Sequence, residues 1–164
     1  MPKTLSHLML PEFDREMPRT RKVLAALTPE SLSWQADEKL RSIGWNANHI
    51  ADLIGWTPQI IANDEFDMAP LEGPKPEVPS LEDPAEILNA FDTAVTQARA
   101  AIEAATDEQL AEDWSLKSGG QTLFTISKGE CLRTWVLNHT VHHRAILSVY
   151  LRMNGIELTP VYDE

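Results

Sequence analysis

Apolar residues recur at helical spacing in four stretches of this chain, and the segments between them are rich in proline, glycine or acidic residues. Ser42 is a good N-cap at the start of the second stretch, and Gly155 is a suitable C-cap after the fourth. The spacing predicts four helices, over about 13–27, 42–63, 84–105 and 128–154.

Two connections between these helices are informative. Residues 64–84 carry five prolines after Met68, which predicts a surface connection or lid without helical structure. Residues 114–123 fit either a small hairpin or an irregular loop, and the pattern does not decide between them. Four helices with one long crossover between the second and the third predict an all-α four-helix bundle. With 164 residues, we expect a single domain over 1–164.

Charge and cysteine content exclude several classes of function. The formal net charge is −11, so the surface should repel nucleic acid and anionic membranes. No apolar run approaches the length of a membrane span, and the N-terminal segment lacks an apolar signal core. Cys131 is the only cysteine, which excludes an internal disulfide and a cysteine-based zinc site. We expect a cytoplasmic protein that acts on a small molecule, with no nucleic-acid or membrane partner.

Histidines are the candidate metal ligands. His139 and His143 are four residues apart on the fourth predicted helix, which places both side chains on one face, one turn apart. His142 pairs with His139 equally well at a spacing of three, so the spacing leaves both possibilities open. His49 lies on the second predicted helix. Three neutral imidazoles from two helices would bind a divalent metal ion and leave coordination positions for a water or a substrate, whereas without a metal they would be core histidines.

Large side chains share the predicted faces of these histidines. At 100° per residue, the histidines of the fourth helix fall on an apolar stripe, and His49 lies between two tryptophans. The side chains predicted to line a pocket above the metal are Trp45, Trp56, Trp135, Ile146 and Tyr150. Asp52 and His142 lie close beside the ligands and are candidates to support them, although a solvated carboxylate is the favoured interpretation of Asp52.

Two segments of the chain resemble the DinB/YfiT-like superfamily of metal-binding four-helix bundles. The first reads IGWNANHIA over 43–51 and is similar to the ligand motif of the family's second helix. The second reads LNHTVHHR over 137–144, followed by SVYLRMNG over 148–155, and is similar to the family's last core helix. Helix order and spacing agree with the family over most of the chain.

The resemblance implies a ligand set and a chemistry. It maps the family's ligands onto His49, His139 and His143, and implies bound zinc or nickel, a homodimer and, for some members, a low-molecular-weight thiol as cosubstrate. The chain departs from the family at Ile146, where glutamine is usual, and at its last residues, where a Tyr-Gly is common. The glutamine's polar contact near the pocket is therefore absent here.

Two functions are consistent with these residues. The first is a metal-dependent enzyme, a thiol S-transferase or, with water as the nucleophile, a hydrolase. The second is a non-catalytic metal-binding stress-response protein in which the metal stabilises the bundle. A structural zinc site normally has four protein ligands, whereas this sequence offers three, which favours the enzyme.

Overall fold

A computed structural model of the chain describes residues 4–77 and 79–162. Six α-helices are present in the described part, namely α1 (Leu5–Leu24), α2 (Ile43–Ala62), α3 (Pro84–Ala104), α4 (Asp107–Ala111), α5 (Lys128–Cys131) and α6 (His139–Met153). A π-helical segment, Leu132–Asn138, joins α5 to α6 without a break, and a 3-10 turn covers Pro29–Ser31. The three strands are β1 (Glu65–Asp67), β2 (Asp113–Ser118) and β3 (Gln121–Ser127).

The long helices α1, α2, α3 and α6 form a four-helix bundle. α2 packs against α3 and α6, and α1 packs against the same two helices. Each helix contributes large buried side chains to one core, among them Phe13, Ile50, Phe91 and Leu147. The predicted four-helix bundle with a long crossover between the second and third helices is confirmed. Among the described residues, no helix combines the length and apolarity needed to cross a membrane.

Capping explains where α2 and α3 begin. The Ser42 side chain accepts a hydrogen bond from the backbone N of Trp45 at 3.1 Å, and Asp83 does the same for Ala85 at 2.9 Å. Pro84 occupies the first turn of α3, where its missing N–H leaves no bond unmade. The starts predicted for these two helices are therefore confirmed.

α1 begins earlier than predicted. It starts at Leu5 rather than near residue 13, and it continues through Pro11 and Pro18. The two prolines are seven residues apart and both exposed, so they lie on one outer face where water can bind the carbonyl groups they leave without a partner. The Thr4 side chain caps the helix by accepting from the backbone N of His7 at 3.3 Å.

A small sheet lies beside the bundle. β2 and β3 form an antiparallel hairpin, and β1 pairs with β2 in parallel. The hairpin turns at Gly119 and Gly120, whose φ angles of 61° and 76° lie in the left-handed region that glycine adopts without strain. The segment left open between hairpin and loop is therefore a hairpin, and the fold includes a sheet that the helical pattern did not predict.

The long crossover from α2 to α3 is anchored at both ends. At its start, the Asp67 carboxylate accepts hydrogen bonds from the backbone N of Gly119 and Gly120 at 3.0 and 2.7 Å. At its end, the Asn48 side chain exchanges two hydrogen bonds of 2.9 Å with the backbone of Leu81. Residues 71–77 between these anchors are exposed and contain no helix, as the proline content predicted.

Candidate metal centre

Three histidines from two helices converge in the bundle, and we call them the histidine triad: His49 of α2 and His139 and His143 of α6. One ring nitrogen from each lies within 4.8 Å of the others. The Nε2 atoms of His139 and His143 are 3.0 Å apart, and the ring centroid of His49 lies 5.1 and 4.6 Å from theirs. The structure thus brings together the three residues that the resemblance implied.

His142, the alternative partner of His139, occupies a different position. Its side chain is exposed, and its ring centroid lies 5.0 Å from that of His143 and 6.3 Å from that of His139. His139 is the first residue of the regular α-helix that follows the π-helical segment, so His143 lies directly one turn above it. His142 is therefore a neighbour of the triad at its solvent side.

Two of the three donor atoms of the triad have the spacing of ligands bound to one divalent metal ion. Two nitrogens bound to one ion at about 2.0–2.1 Å are about 2.9 Å apart at a right angle and about 3.4 Å apart at a tetrahedral angle. The 3.0 Å between the Nε2 atoms of His139 and His143 lies in that range. Nδ1 of His49 is buried and has no hydrogen-bond partner among the described residues. This is expected where a bound ion or ligand, and not the protein, makes one of the polar contacts of the ring.

Burial keeps the triad neutral. Burial, with a smaller effect of the neighbouring His139, lowers the pKa of His49 to about 4. Burial, with the other nearby histidines, lowers the pKa of His143 to about 3, and burial also lowers the pKa of His139. Neutral imidazole is the form that binds metal, so all three side chains are in the ligating form at neutral pH.

Two tryptophans contact the triad. Trp45 stacks on His49 with ring centroids 4.6 Å apart and meets His143 edge-on at 5.7 Å. Trp135 meets His139 edge-on at 6.1 Å and stacks on Phe124 of β3 at 4.9 Å. The side chain of Trp135 is 40% exposed. We call Trp45, Trp135 and Phe124 the aromatic wall of the triad, with Trp135 at its solvent side. Phe124 was not expected from the sequence.

Trp56 and Asp52 lie at a separate cavity. They line a space of about 380 Å³ between α2 and the crossover, where Trp56 contacts Phe66 with centroids 5.5 Å apart. Burial raises the pKa of the Asp52 carboxyl, and a hydrogen bond with Trp56 partly offsets this effect. Nδ1 of His49 makes no hydrogen bond to Asp52. The Asp52 carboxylate contacts Trp56 instead.

Tyr150 and Ile146 pack into the bundle. Tyr150 is buried and meets Trp34 edge-on with centroids 5.5 Å apart, and Ile146 packs half-buried against the core. Cys131 is a buried free thiol whose pKa is raised to about 12 by burial, as expected for a small hydrophobic side chain. Arg144 points away from the triad and pairs with Glu16 of α1 at 2.6 Å.

A second residue at the site, besides Phe124, was not identified from the sequence. The Asn46 side-chain oxygen lies 2.9 Å from Nδ1 of His143. Asn46 interrupts the apolar stripe of α2 three residues before His49, so it shares a face with that ligand. A buried polar side chain at such a position must have a partner, and this signal was available in the sequence.

Comparison with known proteins supports the same fold. A DinB-like protein from Bacillus cereus superposes with a TM-score of 0.71 at 23% identity, over 99% of this chain and 100% of that one. The DinB-like protein YjoA from Bacillus subtilis gives 0.68 at 17% identity, over 96% and 99%. YfiT from Bacillus subtilis, described as a probable metal-dependent hydrolase with an unusual four-helix bundle topology, gives 0.70 at 16% identity, over 93% and 89%.

Sequence comparison assigns the family. No curated protein matches the chain significantly. The family description that matches is the DinB family, and the match covers residues 1–164. Because this match spans every helix that supplies the triad, it agrees with the resemblance found in the two histidine segments. The chain therefore belongs to the DinB family.

Proposed function

We propose that this protein is a divalent-metal-dependent thiol S-transferase, an enzyme that joins a low-molecular-weight thiol through its sulfur to a small electrophile. The observation that carries this proposal is the convergence of three neutral histidines, with two Nε2 atoms 3.0 Å apart. Zinc and nickel are the proposed ions, because imidazole donors suit both. We further propose that the protein is a homodimer and that it is located in the cytoplasm.

The triad determines what a bound ion can do. Three neutral ligands leave its double positive charge uncompensated, and fewer than four protein ligands leave a position for an exogenous molecule. Such an ion lowers the pKa of a thiol or a water molecule that it binds. A metal with only a stabilising role normally has four protein ligands, so the triad supports chemistry over a purely structural role.

The aromatic wall supplies the remaining part of the proposed site. Trp45 packs directly on His49 and excludes water from that side of the triad. Trp135 and Phe124 offer an apolar surface at the solvent side of the triad, where an apolar acceptor can bind. In the transfer, a carbon–sulfur bond forms as the bond to the acceptor's leaving group breaks, and the thiol proton passes to solvent.

A metal-dependent hydrolase is the alternative, and the description of YfiT favours it. Hydrolysis would use the same triad with water as the nucleophile. It also requires a proton acceptor, and the nearest acidic candidate from the sequence, Asp52, is in contact with Trp56 instead. A thiol loses its proton much more readily than water does, so thiol transfer depends less on such an acceptor and we rank it first.

Metal content is the first test. Protein purified without a histidine tag should contain about one zinc or nickel ion per chain by elemental analysis. His139→Ala should lose the ion. His7→Ala is the matched control, because His7 is exposed at the start of α1 and should leave the metal content unchanged. Absence of metal from the wild type, even after incubation with zinc or nickel, would refute the proposal.

Activity assays separate the two reactions. The metal-loaded protein should accelerate consumption of bacillithiol, mycothiol or glutathione in the presence of 1-chloro-2,4-dinitrobenzene. Metal-dependent cleavage of a nitrophenyl ester without any thiol would favour the hydrolase instead. A His143→Ala protein that loses metal but melts as the wild type does would support a site for chemistry, whereas a large loss of stability would support the structural role.

A further inference from the structure

A buried asparagine holds one ligand of the triad from the opposite side of the ring. Asn46 is 2% exposed and His143 is 9% exposed. Oδ1 of Asn46 lies 2.9 Å from Nδ1 of His143, so the contact joins α2 to α6. The other ring nitrogen of His143, Nε2, faces His139. One imidazole thus bridges Asn46 and the candidate metal position.

The start of α2 determines which way the Asn46 amide points. Its Nδ2 donates to the backbone oxygen of Ser42 at 2.8 Å and approaches that of Arg41 at 3.5 Å. Carbonyl oxygens only accept hydrogen bonds, so the amide nitrogen must face them and Oδ1 must face His143. The donor in the contact is therefore Nδ1–H of His143.

The direction of this hydrogen bond selects the tautomer of His143. A neutral imidazole with its hydrogen on Nδ1 has its lone pair on Nε2, the atom that lies 3.0 Å from Nε2 of His139. We propose that Asn46 is a positioning residue that fixes His143 as the Nδ1–H tautomer and presents Nε2 to the metal. This inference rests on the proposed metal site. Loss of such a supporting hydrogen bond typically weakens metal binding about 10–100-fold.

Asn48 provides a matched control on the same helix. It is 5% exposed, and its Nδ2 donates to the backbone oxygen of Gly44, four residues earlier, at 3.0 Å. Its remaining hydrogen bonds are with Leu81 of the crossover and not with the triad. Asn46→Leu and Asn48→Leu therefore both remove a buried amide of similar size, but only the first removes the partner of His143.

The direct test is the tautomer of His143 in metal-free protein, read from long-range ¹H–¹⁵N NMR spectra of the imidazole rings. The wild type and Asn48→Leu should show the Nδ1–H form. Asn46→Leu should show a substantial population of the Nε2–H form, because Nδ1 then has no acceptor. A merely structural role of Asn46 would change stability without changing this signature.

Zinc affinity gives the second readout, measured by competition with a chromophoric chelator. Asn46→Leu should bind zinc about 10–100-fold more weakly than the wild type, and Asn48→Leu should bind it equally well. Asn46→Asp retains an acceptor for Nδ1–H while losing the hydrogen bonds to the backbone oxygens, so it should keep its affinity at lower stability.

Two results would overturn the inference: an Nε2–H tautomer of His143 in the wild type, or equal zinc affinities for the two leucine variants. Failure of the wild type to bind zinc would instead overturn the proposed function. In that case the NMR spectra still decide whether Asn46 sets the tautomer of His143, so the two failures are distinguishable.

Discussion

Acidification should destabilise the metal-free protein through the buried histidines. Their ordinary pKa is 6.5, but in the folded chain the pKa is about 4 for His49 and about 3 for His143. Below pH 6.5 the unfolded chain therefore binds protons that the folded chain does not, and stability falls as the pH falls towards the folded pKa values. At pH 5.0 each histidine contributes a loss of about RT ln(1 + 10^1.5), or about 2 kcal/mol.

The two losses together amount to about 4 kcal/mol between pH 7.5 and pH 5.0. Urea denaturation in the presence of a chelator, followed by far-ultraviolet circular dichroism, measures this directly. With an m-value of about 2 kcal/mol per M, the midpoint should fall by about 2 M. His143→Gln, which removes one of these two contributions, should lose about 2 kcal/mol less than the wild type over the same range.

Comparison between variants isolates the histidines, because the carboxyl groups titrate alike in both proteins. His7→Gln serves as the control for replacing a histidine outside the triad, since His7 is exposed. If His143→Gln showed the same loss as the wild type, folded His143 would take up a proton at pH 5.0. The argument that burial keeps this ring neutral would then be refuted.

Three further predictions concern the metal, the helix packing and the buried ion pair. Free zinc at 100 times its Kd should raise the unfolding free energy by about 2.7 kcal/mol in thermal melts, and variants lacking a triad histidine should show no gain. Gly44→Ala should lower the unfolding free energy by about 1–3 kcal/mol in urea denaturation, because the added Cβ would lie 2.9 Å from the backbone oxygen of Leu32. Gly55→Ala is the control, because a Cβ there meets open space, and it should raise the unfolding free energy by about 0.5–1 kcal/mol. Arg144→Met should cost about 1.5–3 kcal/mol by removing one of the two arginines that pair with Glu16, and unchanged stability would show that the pair is not net stabilising.

The bundle and the triad follow from local patterns in the sequence. Helical spacing and good caps at Ser42 and Asp83 identify α2 and α3 to within a residue or two. A spacing of four residues places His139 and His143 on one face of a helix, independently of the tertiary structure. The assignment of His143 over His142 needed the family resemblance, because both spacings suit one helix face equally well.

Other features depend on tertiary contacts that periodicity does not encode. Trp135 lies in the π-helical segment, whose wider turn invalidates the count of 100° per residue, so its side chain is 40% exposed instead of fully inward. α1 runs through Pro11 because its outer face is solvated. β1 is three residues long and forms only by pairing with β2. Asn46 acquires its role only when α6 places His143 beside it.

The anchored crossover makes the protein suitable for internal tagging. Its first anchor, Asp67, binds the hairpin turn, and its last, Asn48, binds Leu81. Both anchors lie outside the exposed residues 71–75. Doubling the length of a flexible loop costs only about 0.6 kcal/mol. A peptide tag or a reporter domain inserted within 71–75 should therefore leave the histidine triad in place and allow purification without added histidines.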